Sequence, residues 1–432
     1  MGALRPPMPP IRTILLVLGL AVSAAAQDHQ VLGPVLGAPE PDAVRIWMRV
    51  PPADGGEFSV LLRSGHGGLQ RSAWIRTDPG RDHTAVARID GLEPDTEYRY
   101  RVRLRGFADS DEATEQWHPI RTAPRPSAPA RLRLAFGSCA NRPGDQPVWD
   151  AIRAQTPDLF LSLGDLPYAD TREPALLFAR YRESRGDPRY LALAREVPTL
   201  AIWDDHDFGG NDMDGRVPGK EIALHAFRSY WPNPGSGGAE PNPRPGVWDT
   251  FRWGPIEIFL LDDQSFRNVP RKGVDLLGEQ QRRWLERELT ASNATIKLIA
   301  SGGAFHDRPV AWRFLGLFPI VRRDTWWSYQ DRDWLFGLLA RHSITGVVLL
   351  AGDLHRHEVH RLDWKGGYPL YELISSPLRQ NLRACVASAG SRQWCASKEG
   401  FALLDIEDSV TYSYWDSHGR RLHKPTTLHP FP

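Results

Sequence analysis

Three apolar runs in this chain stop at the same kind of residue, and this repetition restricts the possible folds more than any other feature. Gly346-Val347-Val348-Leu349-Leu350-Ala351 leads into Gly352-Asp353-Leu354-His355. Asp158-Leu159-Phe160-Leu161-Ser162-Leu163 leads into Gly164-Asp165-Leu166-Pro167-Tyr168. Pro198-Thr199-Leu200-Ala201-Ile202-Trp203 leads into Asp204-Asp205-His206-Asp207-Phe208-Gly209-Gly210-Asn211. A short continuous apolar run reads as a strand buried on both faces, so each needs a sheet covered by further layers. Loops at the C-terminal edges of such strands converge, and here they carry carboxylates and imidazoles. A fourth apolar run, Leu134-Ala135-Phe136-Gly137-Ser138, ends at Cys139. The predicted result is a hydrolytic site for more than one metal, with Cys139 as a ligand.

At 432 residues the chain exceeds one average domain. Residues 1–26 carry Arg5 and Arg12, an apolar run from Ile14 to Val22, and Ala24-Ala25-Ala26 before Gln27, the layout of a secretory signal peptide. A membrane anchor needs about 18 or more apolar residues, more than this run holds. A secreted or periplasmic protein with no stable membrane anchor is therefore expected. Residues 27–122 alternate in short period-two runs, Val44 to Val50, Phe58 to Leu62, Thr84 to Ile89 and Tyr98 to Leu104, which predicts an antiparallel β-sandwich. Residues 123–130 form a proline-rich linker, Ala123-Pro124-Arg125-Pro126 at its start. Residues 131–432 then alternate strands with helical stretches at Pro174 to Arg195, Gly278 to Thr290 and Asp331 to Arg341. Further β-runs follow at His357 to Trp364, Tyr368 to Ser375, Phe401 to Glu407 and Val410 to Trp415. That order predicts an α/β domain, either a mixed sheet or a two-sheet sandwich flanked by helices. Two long connections stand apart, Pro232 to Val247 and His306 to Tyr329, the latter aromatic from Trp312 to Trp327 and read as a lid.

Charge is balanced, 53 Lys+Arg against 52 Asp+Glu, which leaves no broad basic footprint for nucleic acid and favours a small-molecule partner. Of three cysteines, Cys385 and Cys395 lie close together in a small-residue loop, where export permits a disulfide, and Cys139 is left over. Thiolate, phenolate and imidazole at Cys139, Tyr168 and His355 suit a transition metal, phenolate especially ferric iron. The oxygens of Asp204, Asp205, Asn211 and Asp353 suit Ca²⁺, Mg²⁺ or Mn²⁺. Asp165, three residues before Tyr168, is best placed to bridge the two kinds of ion. Paired metals clamp a phosphoryl group and activate water, so phosphoester hydrolysis fits best. No Gly-x-Ser-x-Gly elbow occurs, which disfavours a serine nucleophile.

Four blocks carry a resemblance: Phe136-Gly137-Ser138-Cys139, Gly164-Asp165-Leu166-Pro167-Tyr168, Trp203-Asp204-Asp205-His206-Asp207 with Asn211, and Gly352-Asp353-Leu354-His355. In this order they resemble the alkaline phosphatase D family of metallophosphoesterases and, more distantly, purple acid phosphatases. The segment Gly91 to Tyr100 resembles the corner before the sixth strand of fibronectin type III domains. The family resemblance implies a metallophosphoesterase-type β-sandwich flanked by helices behind a fibronectin type III-like domain. It implies Fe³⁺ held by Cys139, Asp165, Tyr168 and His355, and Ca²⁺ held by Asp165, Asp204 or Asp205, Asn211 and Asp353, with Zn, Mn or Mg as alternatives. His206 stands where relatives keep a histidine facing the substrate, which implies a catalytic role in leaving-group protonation or transition-state stabilisation. Relatives tend to carry Asp-x-Arg followed by a second Arg, whereas this chain reads Asp262-Asp263-Gln264-Ser265-Phe266-Arg267, which leaves Arg267 as the phosphate clamp. His306 also follows a strand and is a weaker candidate. The expected activity is hydrolysis of phosphomonoesters, or of diesters, by a metal-activated hydroxide, in a monomer. Alternatives are a phosphodiesterase or phospholipase acting on lipid or cell-wall phosphate, and a non-catalytic metal-dependent phosphate-binding protein.

Overall fold

The computed structural model describes residues 29–65, 67–106, 116–141, 144–234, 244–268, 275–306, 326, 330–364, 368–385 and 390–428. The expected signal peptide and nearly all of the His306 to Tyr329 connection lie outside them. No helix among the described residues is long and apolar enough to cross a membrane.

The chain opens with β1 (Leu32–Leu36), β2 (Ala43–Arg49), β3 (Glu57–Ser64), β4 (Leu69–Arg71), β5 (Ile75–Arg76), β6 (Thr84–Asp90), β7 (Glu97–Leu104) and β8 (His118–Arg121). All pair antiparallel, in one sheet of order β1-β2-β6 and another of order β4-β3-β7-β8 with β5 on β3. Alternate side chains of both sheets, among them Ile46, Met48, Val60, Leu62, Tyr100 and Val102, meet in one apolar cluster, the sandwich that period-two patterning predicts. Tyr98 closes its corner by accepting from the backbone N–H of Glu93 at 2.9 Å.

After the linker come β9 (Leu132–Gly137), α1 (Val148–Ala154), β10 (Leu159–Leu163), α2 (Pro174–Arg185), α3 (Pro188–Ala194), β11 (Thr199–Ile202), α4 (Asp205–Phe208) and α5 (Lys220–Tyr230). Then follow β12 (Asp249–Trp253), β13 (Ile256–Leu260), α6 (Gly278–Ala291), β14 (Ile296–Ala300), α7 (Gln330–Arg341), β15 (Val347–Ala351), β16 (His357–Leu362) and β17 (Leu370–Ile374). The chain finishes with β18 (Arg392–Ala396), β19 (Gly400–Ile406), β20 (Val410–Asp416) and β21 (Arg421–Thr427). Among the described residues these strands make a six-stranded sheet, β11-β10-β9-β19-β20-β21, and a seven-stranded sheet, β12-β13-β14-β15-β17-β16-β18. Between the sheets lie Phe136, Leu161, Ile202, Ile258, Leu298, Leu350 and Val359. The outer face of the first sheet is covered by α1, α2, α3 and α5, and that of the second by α6 and α7. The result is a two-sheet sandwich flanked by helices.

The stretch expected as one helix from Pro174 to Arg195 is two. Gly186 caps the first, and Asp187 accepts from the N–H groups of Arg189 and Tyr190 to start the second, with Pro188 at its first position. The front sandwich and the helical layer share a core: Leu32, Val35 and Trp47 pack with Tyr190, Phe227 and Tyr230. Trp47 Nε1 donates to the Ser229 carbonyl at 2.6 Å. Asp82 takes Arg49 from the sandwich at 3.0 Å and Arg182 from α2 at 2.8 Å, and also binds Tyr230.

Candidate metal centre

Strands β9, β10 and β11 are parallel and in register, Phe136 beside Leu161 and Leu163 beside Ile202, so Cys139, Asp165 and Asp204 leave the sheet side by side. In the second sheet β14 and β15 are parallel too, and β15 delivers Asp353 and His355. The turns meet at backbone distance. A Cβ on Gly164 would lie 2.5 Å from Asp204 N, and one on Gly352 would lie 2.6 Å from Ser138 Oγ. The glycines before both aspartates are there because no side chain fits. Cys139, Asp165, Asp353 and His355 all hold positive φ, between 52° and 60°, a costly conformation outside glycine that clusters at functional sites.

The donor atoms converge in two groups. Cys139, Asp165 and His355 each offer an atom within 4.8 Å of the others, and so do Asp165, Asp205 and His206. Asp165 belongs to both. The Cys139 thiol points at Asp165 Oδ2 across 3.4 Å, and Tyr168 Oη lies 3.1 Å from His355 Nε2. The donor set therefore fits metal ions, and its electrostatics ask for them. Burial, followed by repulsion from Cys139, Asp205, Asp207 and Asp353, pushes Asp165 well above the usual carboxylate range. Burial and the neighbouring carboxylates do the same to Asp204, and burial lifts the Cys139 thiol to about 12. Cations in the centre would reverse each of these shifts.

A family model for PhoD-like phosphatase matches residues 134–422, the stretch that contains all four strand ends. The chain belongs to this family. The protein of Bacillus subtilis (strain 168) named alkaline phosphatase D is 24% identical over 386 residues, covering 75% of this chain and 64% of the relative, so the chain spans slightly under two thirds of that relative's length. A solved structure, "Structure of PhoD", aligns with a TM-score of 0.76 at 18% identity over 93% of this chain and 88% of the other, which shows a shared fold.

Within this PhoD-family site the remaining candidates have distinct positions. His206 is partly buried. Its backbone N–H donates to Asp165 Oδ1 at 3.3 Å, its ring packs 4.1 Å from the Tyr168 ring, and Nδ1 lies 2.6 Å from Asp170 Oδ1. Burial disfavours the imidazolium, but Asp170 and Asp205 outweigh it and raise the His206 pKa. Asp204 accepts from Asp205 N at 2.9 Å and from the Gln264 amide, so the residue standing where relatives carry arginine is tied to a carboxylate. Asp205 accepts from Asp212 N at 2.6 Å, and the adjacent Asn211 is exposed, its amide making no hydrogen bond among the described residues. Arg267 is buried at 1% exposure and donates from Nη2 to the Met213 carbonyl. Cys385 and Cys395 form a disulfide, while Cys139 is free.

Of two further residues that carry the geometry, Asp207 stood among the strand-end carboxylates without a role and Asp170 escaped sequence reasoning. Asp207 accepts from Leu166 N at 3.1 Å, from Asp204 N at 3.0 Å and from Asp165 N, which locks two ligand turns to one carboxylate. Asp170 orients His206. Its only signal is its place two residues after Tyr168 on the same turn.

Proposed function

We propose that this protein is an exported metal-dependent phosphoric ester hydrolase acting on small phosphomonoesters. The observation that carries the reading is the place of Asp165, within reach of Cys139 and His355 on one side and of Asp205 on the other, which suits a carboxylate bridging two ions. Cys139, Asp165, Tyr168 and His355 would hold ferric iron, and Asp165, Asp204 or Asp205, Asn211 and Asp353 would hold calcium. Such ions supply Lewis-acid stabilisation of phosphoryl charge and lower the pKa of an attacking water. The curated relative's name, alkaline phosphatase D, agrees with this activity. The front sandwich, with its Tyr98 corner, is best read as a fibronectin type III-like module.

His206 is the acid. Asp170 holds the proton on Nδ1 and stabilises the imidazolium, which leaves Nε2, 4.0 Å from Asp205 Oδ1, to give its proton to the leaving oxygen. Asp207 keeps the turns of Asp165 and Asp204 fixed relative to each other, so the ligands need no reorganisation when charge builds up. Gln264 is bound to Asp204 and Arg267 donates to the Met213 carbonyl, so phosphate neutralisation would fall mainly to the ions these ligands hold.

The test is turnover of p-nitrophenyl phosphate against bis-p-nitrophenyl phosphate, with and without chelator, in wild type and Asp165→Asn. Chelator-sensitive monoester turnover, lost in Asp165→Asn by far more than the roughly 10–100-fold of an outer-sphere change, is expected. A variant with wild-type turnover and full metal content removes the bridging assignment. Faster turnover of the diester would identify a phosphodiesterase, and phosphate binding without turnover would identify a binding protein.

A further inference from the structure

A second set of ionisable side chains lies away from the strand ends, on the outer face of the seven-stranded sheet. On β16, Val359 faces the inter-sheet core and Leu362 faces the helices, so Glu358 and His360 share the helix side with Leu362. On β17, Leu373 faces the inter-sheet core while Leu370 and Ile374 face the helices, which places Glu372 on that side too. His360 and Glu372 are direct cross-strand partners. His306 arrives from beyond β14, just after Phe305. The position otherwise belongs to Leu and Trp side chains, yet exposure is 8% at His306, 1% at Glu358 and zero at His360 and Glu372.

Glu372, Glu358 and His360 are each anchored on one side and turn the other inward, while both ring nitrogens of His306 face the two carboxylates. Glu372 Oε1 accepts from Phe305 N at 2.6 Å, and Oε2 turns to His306 Nδ1 at 3.0 Å. Glu358 Oε1 takes Arg356 and Arg392, each at 2.7 Å, and Oε2 turns to His360 Nε2 at 2.9 Å and His306 Nε2 at 3.8 Å. His360 Nδ1 is held by Ser391 Oγ at 3.0 Å, which fixes which ring nitrogen faces inward. The two rings stack at 3.8 Å. One atom from each of His306, His360 and Glu372 lies within 4.8 Å of the other two. Ligands whose far atoms are tied down and whose near atoms converge are the pattern of a metal site with its supporting shell.

We propose that His306, His360 and Glu372, with Glu358 as a fourth donor, form a second metal site selective for a zinc-like dication. Two imidazoles and carboxylate oxygens suit zinc, and four buried protein donors with no open position make the site structural. Its work is to tie β16 and β17 to the residue at which the 307–329 connection begins. None of the four donors belongs to the strand-end centre, and the proposal does not depend on the activity proposed above.

The purified holoenzyme, dialysed against zinc and then against zinc-free buffer, is compared by elemental analysis with His306→Ala and with the milder His360→Gln. The wild type should keep one more zinc per chain than either variant, with iron and calcium unchanged in all three. Equal zinc in wild type and variants overturns the site. Should both variants misfold, the wild type decides alone by hydrogen–deuterium exchange with and without added zinc. Slower exchange in the peptides over 302–306 and 368–374 supports the site, and unchanged exchange there refutes it.

Discussion

Asp207→Asn isolates the brace beneath the metal centre. Its carboxylate, 1% exposed, receives the N–H groups of Leu166 on Oδ1 and of Asp165 and Asp204 on Oδ2. Burial lifts its pKa to about 7, against the three N–H donors that favour the charged form. Asparagine keeps one acceptor oxygen and turns an NH₂ group toward a donor. With the oxygen left at the Oδ2 position, Leu166 N loses its partner, at about 1–3 kcal/mol for a buried unsatisfied donor. The other two bonds lose their charge assistance, but the burial cost that raises the carboxyl's pKa disappears with the charge and offsets it. A loss of about 1–3 kcal/mol, set by the orphaned Leu166 N–H, is expected, read as a lower urea midpoint at unchanged slope. Metal affinity should fall about 10–100-fold, because both ligand turns become free to shift. Stability within about 0.5 kcal/mol of wild type, together with unchanged metal affinity, would refute the brace.

Three other outcomes follow from the structure. Replacing Cys385 and Cys395 by serine, which opens a loop of sequence separation 10, should cost about 2–3 kcal/mol in urea unfolding; mass spectrometry of the non-reduced protein should find these two thiols paired and Cys139 free. Iron-loaded protein should absorb visible light through tyrosinate-to-iron charge transfer, and Tyr168→Phe should bleach or shift the band with circular dichroism unchanged; a colourless active enzyme without iron rules out the ferric assignment. Burial raises the pKa of Asp158, whose Oδ2 accepts from Arg133 N at 2.7 Å, so its ionised form costs stability above the folded value and that cost fades as pH falls toward the ordinary 3.8. Asp158→Asn, which keeps the acceptor, should therefore be at least as stable as wild type at pH 7, with the difference closing on acidification; a less stable variant at pH 7 contradicts the burial argument.

The strands that build the centre were legible because burial on both faces leaves continuous apolar runs, and the Gly164-Asp165 and Gly352-Asp353 pairs marked where two of them end. The convergence of Cys139, Asp165, Asp205 and His206 followed from parallel register within one sheet, whereas His355 joins them from the second sheet, where Gly352 presses on Ser138. What sequence could not give is contact made by a turn's path. Asp207 reaches back to Asp165 only because Asp205–Phe208 forms a single helical turn, too short to leave a periodicity. Asp170 meets His206 through the turn after Tyr168. His306, His360 and Glu372 come together through cross-strand pairing and the exit from β14, which no local pattern encodes. The break in the Pro174 to Arg195 stretch was written in Gly186-Asp187-Pro188 but masked by helix-forming neighbours on both sides. Arg267 carried no sign of its burial, since an arginine after a strand reads the same whether it faces phosphate or a carbonyl.

The shared core around Trp47 changes what the proline-rich linker can mean for this chain's modularity. A tryptophan buries roughly 150–250 Å², worth about 4–6 kcal/mol at 25 cal/mol per Å², and Leu32 and Val35 add to it. Asp82 would leave Arg182 and Tyr230 without their carboxylate if the front strands were absent. The linker therefore joins two sheets in sequence but does not mark a place where the chain can be divided. Transplanting the residues after it onto another front module would carry across a socket shaped for one indole, and recombination between relatives should succeed only where both sides of that socket travel together.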